Sequence, residues 1–446
     1  MSRIHYRIAV FTSGGMFCDG YILGIVSIAL AVYAPQVGLD DIWSGLIGAS
    51  ALIGLFIGSL AFGPVIDRIG RQVMFLADLL LFIGCSLLHI VATEPWQLFA
   101  IRLVLGIAMG IDYAIAAPLL SEFLPRRQRG GILATLNAVW TVGFVAAFVT
   151  GYALRDLAGD GSWRWMLASS GVPAIAVLLM RLGAPESPRW LTSCGRHREA
   201  REVLDKHFGT HVDVGEAPSA ERSEGGFRLL FSRQLRTRTA FASIFWFCQV
   251  LPYFAIFTFS PTVLASVGLG NGFLGGLLLN VFQLVGGVVG VVLVARLPRR
   301  GFTTWSFVLM ALCLLPLGLF ASPWPVLIAA CFSIYGAVIS AAGNLCHVYP
   351  AELFPTHIRA TGVGFAAAMS RVGAAAGTFL LPLSLAHLGT RPTMLLAVVV
   401  LALGAAASAL WAPETKDLAL HDASDAQDSA PRPDAGTPIP SLDTKR

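Results

Sequence analysis

The stretch RLVLGIAMGIDYAIAAPLLSEFLPRRQRG, from Arg102 to Gly130, is an apolar segment with two internal charges and a polar end. Its polar end, SEFLPRRQRG, returns as AELFPTHIRA, in which the matching Glu, Pro and Arg stand 230 residues later. A second motif is repeated at nearly the same spacing: the Pro-Glu of APESPRWL recurs in APETKDLAL, 228 residues later. A repeat of about half the chain predicts two copies of one multi-helix unit rather than a solenoid.

The composition indicates a protein that resides in a bilayer. Hydrophobic residues make up 56% and charged residues 13% of the chain, whereas about a quarter of a soluble domain is charged. The net charge of +5 is spread over short loops, so we expect no nucleic-acid partner. The seven cysteines have no CxxC spacing, and no phosphate-binding loop or nucleophile motif is present. We therefore expect neither a cofactor, a metal site nor an enzyme.

Twelve apolar runs are long enough to cross about 30 Å of hydrocarbon as helices. They predict an all-α integral membrane protein in which twelve transmembrane helices form two pseudo-symmetric six-helix bundles. The predicted spans are residues 8–34, 43–63, 73–92, 96–121, 131–154, 165–183, 240–265, 271–295, 303–321, 324–349, 361–388 and 392–412.

The distribution of arginine predicts the orientation of these spans. The amino terminus and the 2–3, 4–5 and 8–9 connections carry most of the basic residues, whereas the connections on the other side are nearly bare. Because short cytoplasmic loops are enriched in Lys and Arg, we expect both termini in the cytoplasm. The location would be a cell membrane, the inner membrane if the source is bacterial.

Four regions follow from these patterns. Residues 1–183 would form the first bundle, 184–238 a cytoplasmic linker, 239–413 the second bundle and 414–446 a disordered tail rich in Asp, Ser, Ala and Pro. The linker contains an amphipathic helical pattern, which either lies under the bundle or belongs to a solvated segment. Its apolar face is formed by Ala200, Val203, Leu204 and Phe208.

Five motifs together resemble a known family of transporters. GPVIDRIGRQ, at residues 63–72, resembles the GxxxDRxGRR loop of the major facilitator superfamily. SEFLPRRQRG, APESPRWL, AELFPTHIRATG and PETKD resemble further signatures of its sugar-porter and metabolite:proton-symporter branches. The resemblance covers nearly the whole chain except the tail. It implies a secondary transporter that works by alternating access.

Charges at the predicted cytoplasmic helix ends form a candidate gate. Carboxylates and guanidinium groups at one membrane face can pair in a partly desolvated layer, and the resemblance implies that this layer joins the halves when the cavity faces outward. The alternative is that these charges only set the topology. The 8–9 loop, ARLPRRGF, has no carboxylate that corresponds to Asp67 in the 2–3 loop, so we expect an asymmetric gate. The gate residues are Asp67, Arg68, Arg71, Glu122, Arg129, Glu186, Arg189, Glu352, Arg359 and Glu414.

Asp19, Arg102 and Asp112 are candidates for proton coupling, because charges inside a span are costly unless they serve a function. The resemblance implies an acid in the first span, where sugar porters place it at the position of Ile22, and a partner at Arg102. Separating such a pair in a low-dielectric cavity would favour protonation of the acid. Alternatively, Arg102 extends to the outer surface. Asp112 is either a second titrating group or a partner of another helix.

Arg371, among small residues in span eleven, is the candidate ligand for a carboxylate substrate. The alternative is a structural ion pair with Asp19 or Asp112. Polar and aromatic residues on other spans would complete the substrate site: Asn137, Trp140, Gln249, Tyr253, Asn280, Gln283, Asn344 and His347.

These residues predict uptake of a small organic acid or related metabolite by proton symport. The amides could instead bind the hydroxyls of a sugar or polyol, so a sugar porter is the alternative. A non-transporting nutrient sensor of the same fold is a more remote one. We expect a monomer whose partners are a small-molecule substrate, a proton and the lipid bilayer. Asp78 and His89, in span three, are interpreted as structural.

Overall fold

The computed structural model describes residues 3–123, 126–155, 157, 159–182, 186, 188–208, 226–267, 272–320, 324–355 and 358–416. All regular secondary structure in these ranges is helical. The helices are α1 (Arg3–Val37), α2 (Asp41–Ala61), α3 (Gly63–Ile69), α4 (Arg71–Val91), α5 (Pro95–Phe123), α6 (Arg126–Arg155), α7 (Ser162–Ala168), α8 (Gly171–Arg181), α9 (Pro188–Ser193), α10 (His197–Phe208), α11 (Gly226–Leu229), α12 (Arg236–Thr258), α13 (Ser260–Ser266), α14 (Gly272–Arg296), α15 (Arg299–Leu319), α16 (Pro325–Gly343), α17 (Leu345–Leu353), α18 (Arg359–Leu388) and α19 (Thr390–Trp411).

Twelve segments of the described chain are long and apolar enough to cross a membrane, which confirms the predicted number. Ten of them lie within a single helix. The sixth, Ser162–Arg181, joins α7 and α8, and the tenth, Pro325–Pro350, joins α16 and most of α17.

The two halves repeat the same helix pairings, as expected for two copies of one unit. Helix α1 packs along α6 and α2 along α5, and the corresponding pairs in the second half are α12 with α18 and α14 with α16. Small residues bring these helices close together. A Cβ on Gly54 of α2 would lie 2.8 Å from the backbone nitrogen of Ile107, and one on Gly286 of α14 would lie 2.5 Å from the Cα of Ala337. Such contacts are typical of helix packing in membranes, where close approach of backbones supplies the attraction.

The halves meet at the end of the molecule where α2 begins, which we call the Asp41 end. A Cβ on Gly45 of α2 would lie 2.5 Å from the carbonyl oxygen of Phe379 in α18. One turn further along, a Cβ on Gly48 would lie 2.9 Å from the ring of Phe259 and 3.1 Å from Thr378. The halves are therefore closed against each other there. The opposite end, where α15 begins, is called the Arg299 end.

Helix α10 lies within the predicted linker. Ala200 is buried and Val203 is partly buried, and both pack against Trp190 and Leu191 of α9. Its apolar face is thus covered by the preceding short helix, while the side chains of Leu204 and Phe208 lie outside the described part. On the exposed side, Arg196 donates hydrogen bonds of 2.8 and 2.6 Å to Glu199, which lower the pKa of that carboxyl group. The predicted tail lies beyond the described residues, except for 414–416.

Candidate functional site

A cavity of about 420 Å³ lies between the two halves. Helices α1, α5 and α6 of the first half and α12, α14, α16, α17 and α18 of the second supply its walls. Six of the predicted substrate-site residues line it: Asn137, Trp140, Gln249, Tyr253, Gln283 and Arg371. The structure therefore brings together, from four helices, residues that are up to 234 positions apart in the sequence.

The cationic group of the cavity is Arg371. Its guanidinium carbon lies 4.9 Å from the centre of the Tyr113 ring, a cation–π distance. Among the described residues it forms no salt bridge, so the pairing with Asp19 or Asp112 considered above is not made in this state. The wall of the cavity thus presents a guanidinium group without a carboxylate partner.

Hydrogen bonds between lining side chains fix part of the site. Gln283 Nε2 donates to the Tyr253 hydroxyl at 2.6 Å, and the Cys346 thiol donates to Gln249 Oε1 at 2.8 Å. Within the described structure, Gln283 Oε1 and the indole nitrogen of Trp140 have no hydrogen-bond partner. Both atoms are buried in this state, so neither is exposed to the cavity.

Aromatic rings close the cavity towards the Asp41 end. Trp140 of α6 contacts Tyr253 and Phe254 of α12, with ring centroids 6.4 and 6.5 Å apart. One turn further on, Phe144 meets Phe257 edge to face at 6.0 Å. Both contacts join opposite halves, so they form a roof that separates the cavity from the Asp41 end.

Two predicted substrate residues do not line the cavity. Asn280 is fully buried and its Nδ2 donates to the carbonyl of Gly276 one turn earlier in α14, at 2.7 Å. Asn344 donates to the carbonyl of Gly287 at 3.0 Å and so joins α16 to α14. Asn280 therefore serves helix packing, whereas Asn344 Oδ1 also accepts a hydrogen bond of 3.4 Å from Asn137 Nδ2, which lines the cavity. The side chain of His347 lies outside the described part.

Residues that the sequence analysis did not select also line the cavity. Tyr113 provides the ring beneath Arg371, and Met16, Thr141, Ser340 and Cys346 are further lining residues. Tyr113 directly follows Asp112, which was predicted to take part in proton coupling. This position next to a buried charge is the sequence feature by which Tyr113 could have been selected.

Asp19 and Asp112 lie side by side behind this cavity. Asp19 is fully buried and Asp112 is 1% exposed. The two carboxyl groups are within hydrogen-bonding reach of each other, and Asp78 of α4 approaches Asp112 in the same way. Asp78, interpreted above as structural, is therefore part of the same group of acids.

The cation beside these acids is Arg181, at the end of α8. Its Nη2 lies 3.9 Å from Asp112 Oδ1, and its side chain is 2% exposed. It also donates to the carbonyls of Phe75 at 3.1 Å and Phe11 at 3.4 Å. Sequence reasoning missed Arg181 because an arginine at the end of a span normally faces water.

Arg102 lies elsewhere, close to His89 of α4. Its side chain is 1% exposed, and its Nε donates to the carbonyl of Ile47 at 3.3 Å. It therefore does not extend to the surface in this state. Among the described residues it has no carboxylate partner, so the coupling pair with Asp19 is not formed here.

Two carboxylates of the predicted gate occupy equivalent positions at the starts of helices. Glu186 accepts hydrogen bonds from the backbone nitrogen of Gln72 at 3.0 and 3.3 Å. Glu414 accepts from the backbone nitrogens of Arg299 at 2.8 Å and Arg300 at 3.2 Å. The repeated Pro-Glu motifs therefore cap α4 and α15, the third span of each half.

Further contacts of gate residues lie within the second half. Arg299 binds Glu352 through two hydrogen bonds of 3.2 and 3.3 Å, and Thr415 donates to the same carboxylate at 2.6 Å. Arg359 donates to the carbonyl of Phe354 at 3.2 Å, and Arg68 is exposed. The side chains of Asp67, Glu122, Arg129 and Arg189 lie outside the described part. A gate that joins the halves thus stays a prediction.

Comparisons with known proteins agree with this architecture. A family model described as "Sugar (and other) transporter" matches residues 9–426. The inner membrane metabolite transport protein YgcS of Escherichia coli is 43% identical over 94% of both chains. The putative metabolite transport protein YaaU of Escherichia coli is 37% identical over 95% of both. The niacin transporter NiaP of Acinetobacter baylyi is 26% identical over 94% of this chain and 97% of its own.

The fold has solved counterparts as well. The xylose transporter XylE from Escherichia coli, in a partially occluded inward-open conformation, superposes with a TM-score of 0.78 at 20% identity. The superposition covers 93% of this chain and 99% of the transporter. The family model and the close relatives show that this chain belongs to the sugar transporter family, whose members are multi-pass membrane transporters and not enzymes, and the superposition shows that it has the fold of a major facilitator superfamily transporter.

Proposed function

We propose that this transporter takes up a small organic acid with a flat, unsaturated body by proton symport, through alternating access across an inner membrane. Arg371 carries the proposal. A guanidinium group that lines a cavity at mid-membrane depth without a carboxylate partner is costly unless an anion occupies the cavity in part of the cycle. A substrate carboxylate would supply that partner and accept two parallel hydrogen bonds from the guanidinium.

The walls of the cavity suit the rest of such a substrate. Tyr113, Trp140, Trp246, Tyr253 and Phe254 contribute aromatic surface around a volume of about 420 Å³. Aromatic stacking adds about 0.5–1.5 kcal/mol per ring pair beyond the area that it buries. The relative named as a niacin transporter supports this class of substrate, since niacin is a flat aromatic carboxylic acid.

The position of Arg371 also gives a reason for coupling to protons. Arg371 is among the charged groups that act on Asp19, and a neighbouring positive charge favours the ionised form of an acid. A bound carboxylate would neutralise this charge, so protonation of Asp19 would become more favourable when the substrate is present. By thermodynamic linkage, the proton would strengthen substrate binding by the same factor. Anion and proton would therefore be carried together, in the same direction.

A neutral sugar is the second candidate. The amides of Asn137, Gln249 and Gln283 line the cavity and could bind hydroxyl groups. The description of the family model and the xylose transporter with the same fold favour this substrate class. In that case Arg371 would interact with other groups of the protein rather than bind the substrate. Transport would then not depend on a negative charge of the solute.

Matched pairs of probes distinguish the two candidates. Proteoliposomes containing the purified protein would be offered nicotinate or nicotinamide, benzoate or benzamide, and xylose or glucose, with and without an imposed pH gradient. We expect uptake of a carboxylate, but not of its amide, driven by an alkaline interior. Uptake of a sugar, with no uptake of either acid, would select the second candidate.

A substitution at Arg371 tests the site itself. Arg371→Gln should lower uptake of the carboxylate by about 10- to 100-fold, since a hydrogen bond to a charged group contributes about 1.5–3 kcal/mol. Arg371→Lys should retain part of the activity because the charge remains. His387→Gln, an exposed basic position of the same helix, is the control and should transport normally. Equal uptake by Arg371→Gln and the control would remove Arg371 from the substrate site.

A further inference from the structure

We infer that Asp19, Asp78, Asp112 and Arg181 form one buried proton-binding site behind the cavity wall, and that Asp78 and Arg181 are functional members of it. We call it the three-acid site. The inference rests on the proposed proton symport and adds to it the number and identity of the groups that hold the proton.

The geometry places the four side chains at the meeting point of four helices. Asp19 comes from α1, Asp78 from α4, Asp112 from α5 and Arg181 from α8. Asp112 lies centrally, within hydrogen-bonding reach of both other carboxyl groups and 3.9 Å from Arg181. All four side chains are at most 2% exposed.

The charge count requires a bound proton. Three ionised carboxylates and one guanidinium group would leave two uncompensated negative charges in a site without water contact. Burial of one uncompensated ion costs several kcal/mol even after relaxation of the protein. Two carboxylates in contact therefore cannot both stay ionised.

The hydrogen bonds lead to the same conclusion. None of the six carboxylate oxygens accepts a hydrogen bond from another type of side chain in the described structure. An ionised carboxylate only accepts hydrogen bonds, so a contact between two of them becomes a hydrogen bond only when one carries a proton. A proton taken from water and shared through Asp112 would satisfy both the charge and the hydrogen-bonding requirement.

Few other groups can influence this proton. The titratable or charged side chains that face the site are Cys18 on α1, Tyr113 on α5 and Arg371 on α18. Cys18 is fully buried, while Tyr113 and Arg371 line the cavity. The site therefore adjoins the cavity in two ways: the charge of Arg371 acts on Asp19, and Tyr113 follows Asp112 directly in α5.

Infrared spectroscopy tests the site without knowledge of the solute. The full-length protein in liposomes would be titrated from acid to alkaline pH while the C=O stretch of protonated carboxyl groups is recorded. We expect the parent to show this band at neutral pH. Asp78→Asn should weaken the band and make it disappear at lower pH, because one negative neighbour is lost. Arg181→Gln should have the opposite effect, because the positive neighbour is lost.

Conservative and matched variants separate function from folding. Asp78→Glu and Arg181→Lys keep the charges and should restore the behaviour of the parent. Ser86→Ala removes another buried polar group from α4, one that contacts Ser170 at 2.7 Å, and should leave the band unchanged. If Asp78→Asn does not fold, Asp112→Asn provides the same test. A parent without the band at neutral pH, or a band unaffected by both Asp78→Asn and Arg181→Gln, would overturn the inference.

Transport assays then separate this inference from the proposed function. If the parent shows the band but takes up no probe in response to a pH gradient, the three-acid site stands and proton symport fails. If the parent shows proton-driven uptake of nicotinate and Asp78→Asn keeps the same pH profile, symport stands and the role of Asp78 fails. A pH profile displaced in Asp78→Asn and restored in Asp78→Glu supports both.

Discussion

Asp112 occupies space that only a glycine in α1 leaves free. A Cβ on Gly15 would lie 2.6 Å from Asp112 Oδ2 and 2.8 Å from Oδ1, distances at which the carboxylate would have to move. Asp112 is fixed from the other side by Arg181 and by the two neighbouring acids. A single hydrogen atom in place of a side chain thus allows α1 to pass close to the buried acids.

We therefore predict that Gly15→Ala impairs proton coupling. The methyl group should displace the Asp112 carboxylate and lower accumulation of the transported solute against its gradient, with a smaller effect on exchange. Gly84→Ala is the matched control, because nothing lies within 4 Å of a Cβ at that helical position; it should be neutral or slightly stabilising. Proton-driven accumulation by Gly15→Ala equal to that of Gly84→Ala would contradict the prediction.

Residue-level prediction from sequence was most accurate where a polar group interrupts an apolar run. Arg371, Gln249 and Gln283 stood out for that reason, and all three line the cavity. Arg181 was missed because its position at a span end suits a topological charge, and only tertiary packing turns it inward. Asp78 was interpreted as structural, because a single sequence does not show that its neighbour is a second acid.

At the scale of helices, the repeated Pro-Glu motifs have an identifiable structural purpose. Glu186 and Glu414 each follow the last span of a half and cap the helix that begins its third span. The backbone N–H groups in the first turn of a helix have no partner within the helix, so a carboxylate there satisfies them and interacts favourably with the helix dipole. The motifs thereby tie the end of each bundle to its middle.

We predict that Glu414→Gln destabilises the second bundle by about 1 kcal/mol, the usual cost of losing a cap. The amide can still accept one hydrogen bond, but it lacks the charge. Thermal unfolding of Glu414→Gln in detergent should have a lower midpoint than that of the parent. Glu199→Gln, on the exposed side of α10, is the control and should leave the midpoint unchanged. Equal midpoints for the two variants would mean that the cap contributes nothing measurable.

Sequence predicted the number of spans but not their interruptions. Span ten was read as one helix, whereas the structure divides it at Asn344 into α16 and α17. Pro350 lies in α17 and lacks the N–H that a continuous helix would use. Span six likewise pauses at Ser169 and Ser170, between α7 and α8. Hydropathy reports burial in the membrane and cannot register such breaks.

The whole molecule is closed at the Asp41 end in this structure. The glycine contacts between α2 and α18 and the aromatic roof both lie on that side of the cavity. Lining residues of α18 begin instead at Val363, about one turn from the start of that helix. The cavity therefore extends towards the Arg299 end. If that end is cytoplasmic, as the arginine distribution predicts, the state faces inward.

The native Cys194 tests this orientation without an engineered cysteine. It is exposed in the turn between α9 and α10, while the other six cysteines are buried. A membrane-impermeant maleimide should label it in inside-out vesicles and not in intact cells, and Cys194→Ser should remove the signal. Labelling in intact cells would reverse the predicted topology.

Alternating access requires the contacts at the Asp41 end to separate in every cycle, so a covalent bond across them should stop transport. Gly48 and Thr378 suit such a bond, because a Cβ on Gly48 would lie 3.1 Å from the Thr378 side chain in the other half. In a Cys194→Ser background, Gly48→Cys with Thr378→Cys should lose transport on mild oxidation and regain it with a reductant. Each single variant should be insensitive to the oxidant. Undiminished transport by the fully cross-linked protein would show that this end does not open, and would exclude the rocking of one half against the other.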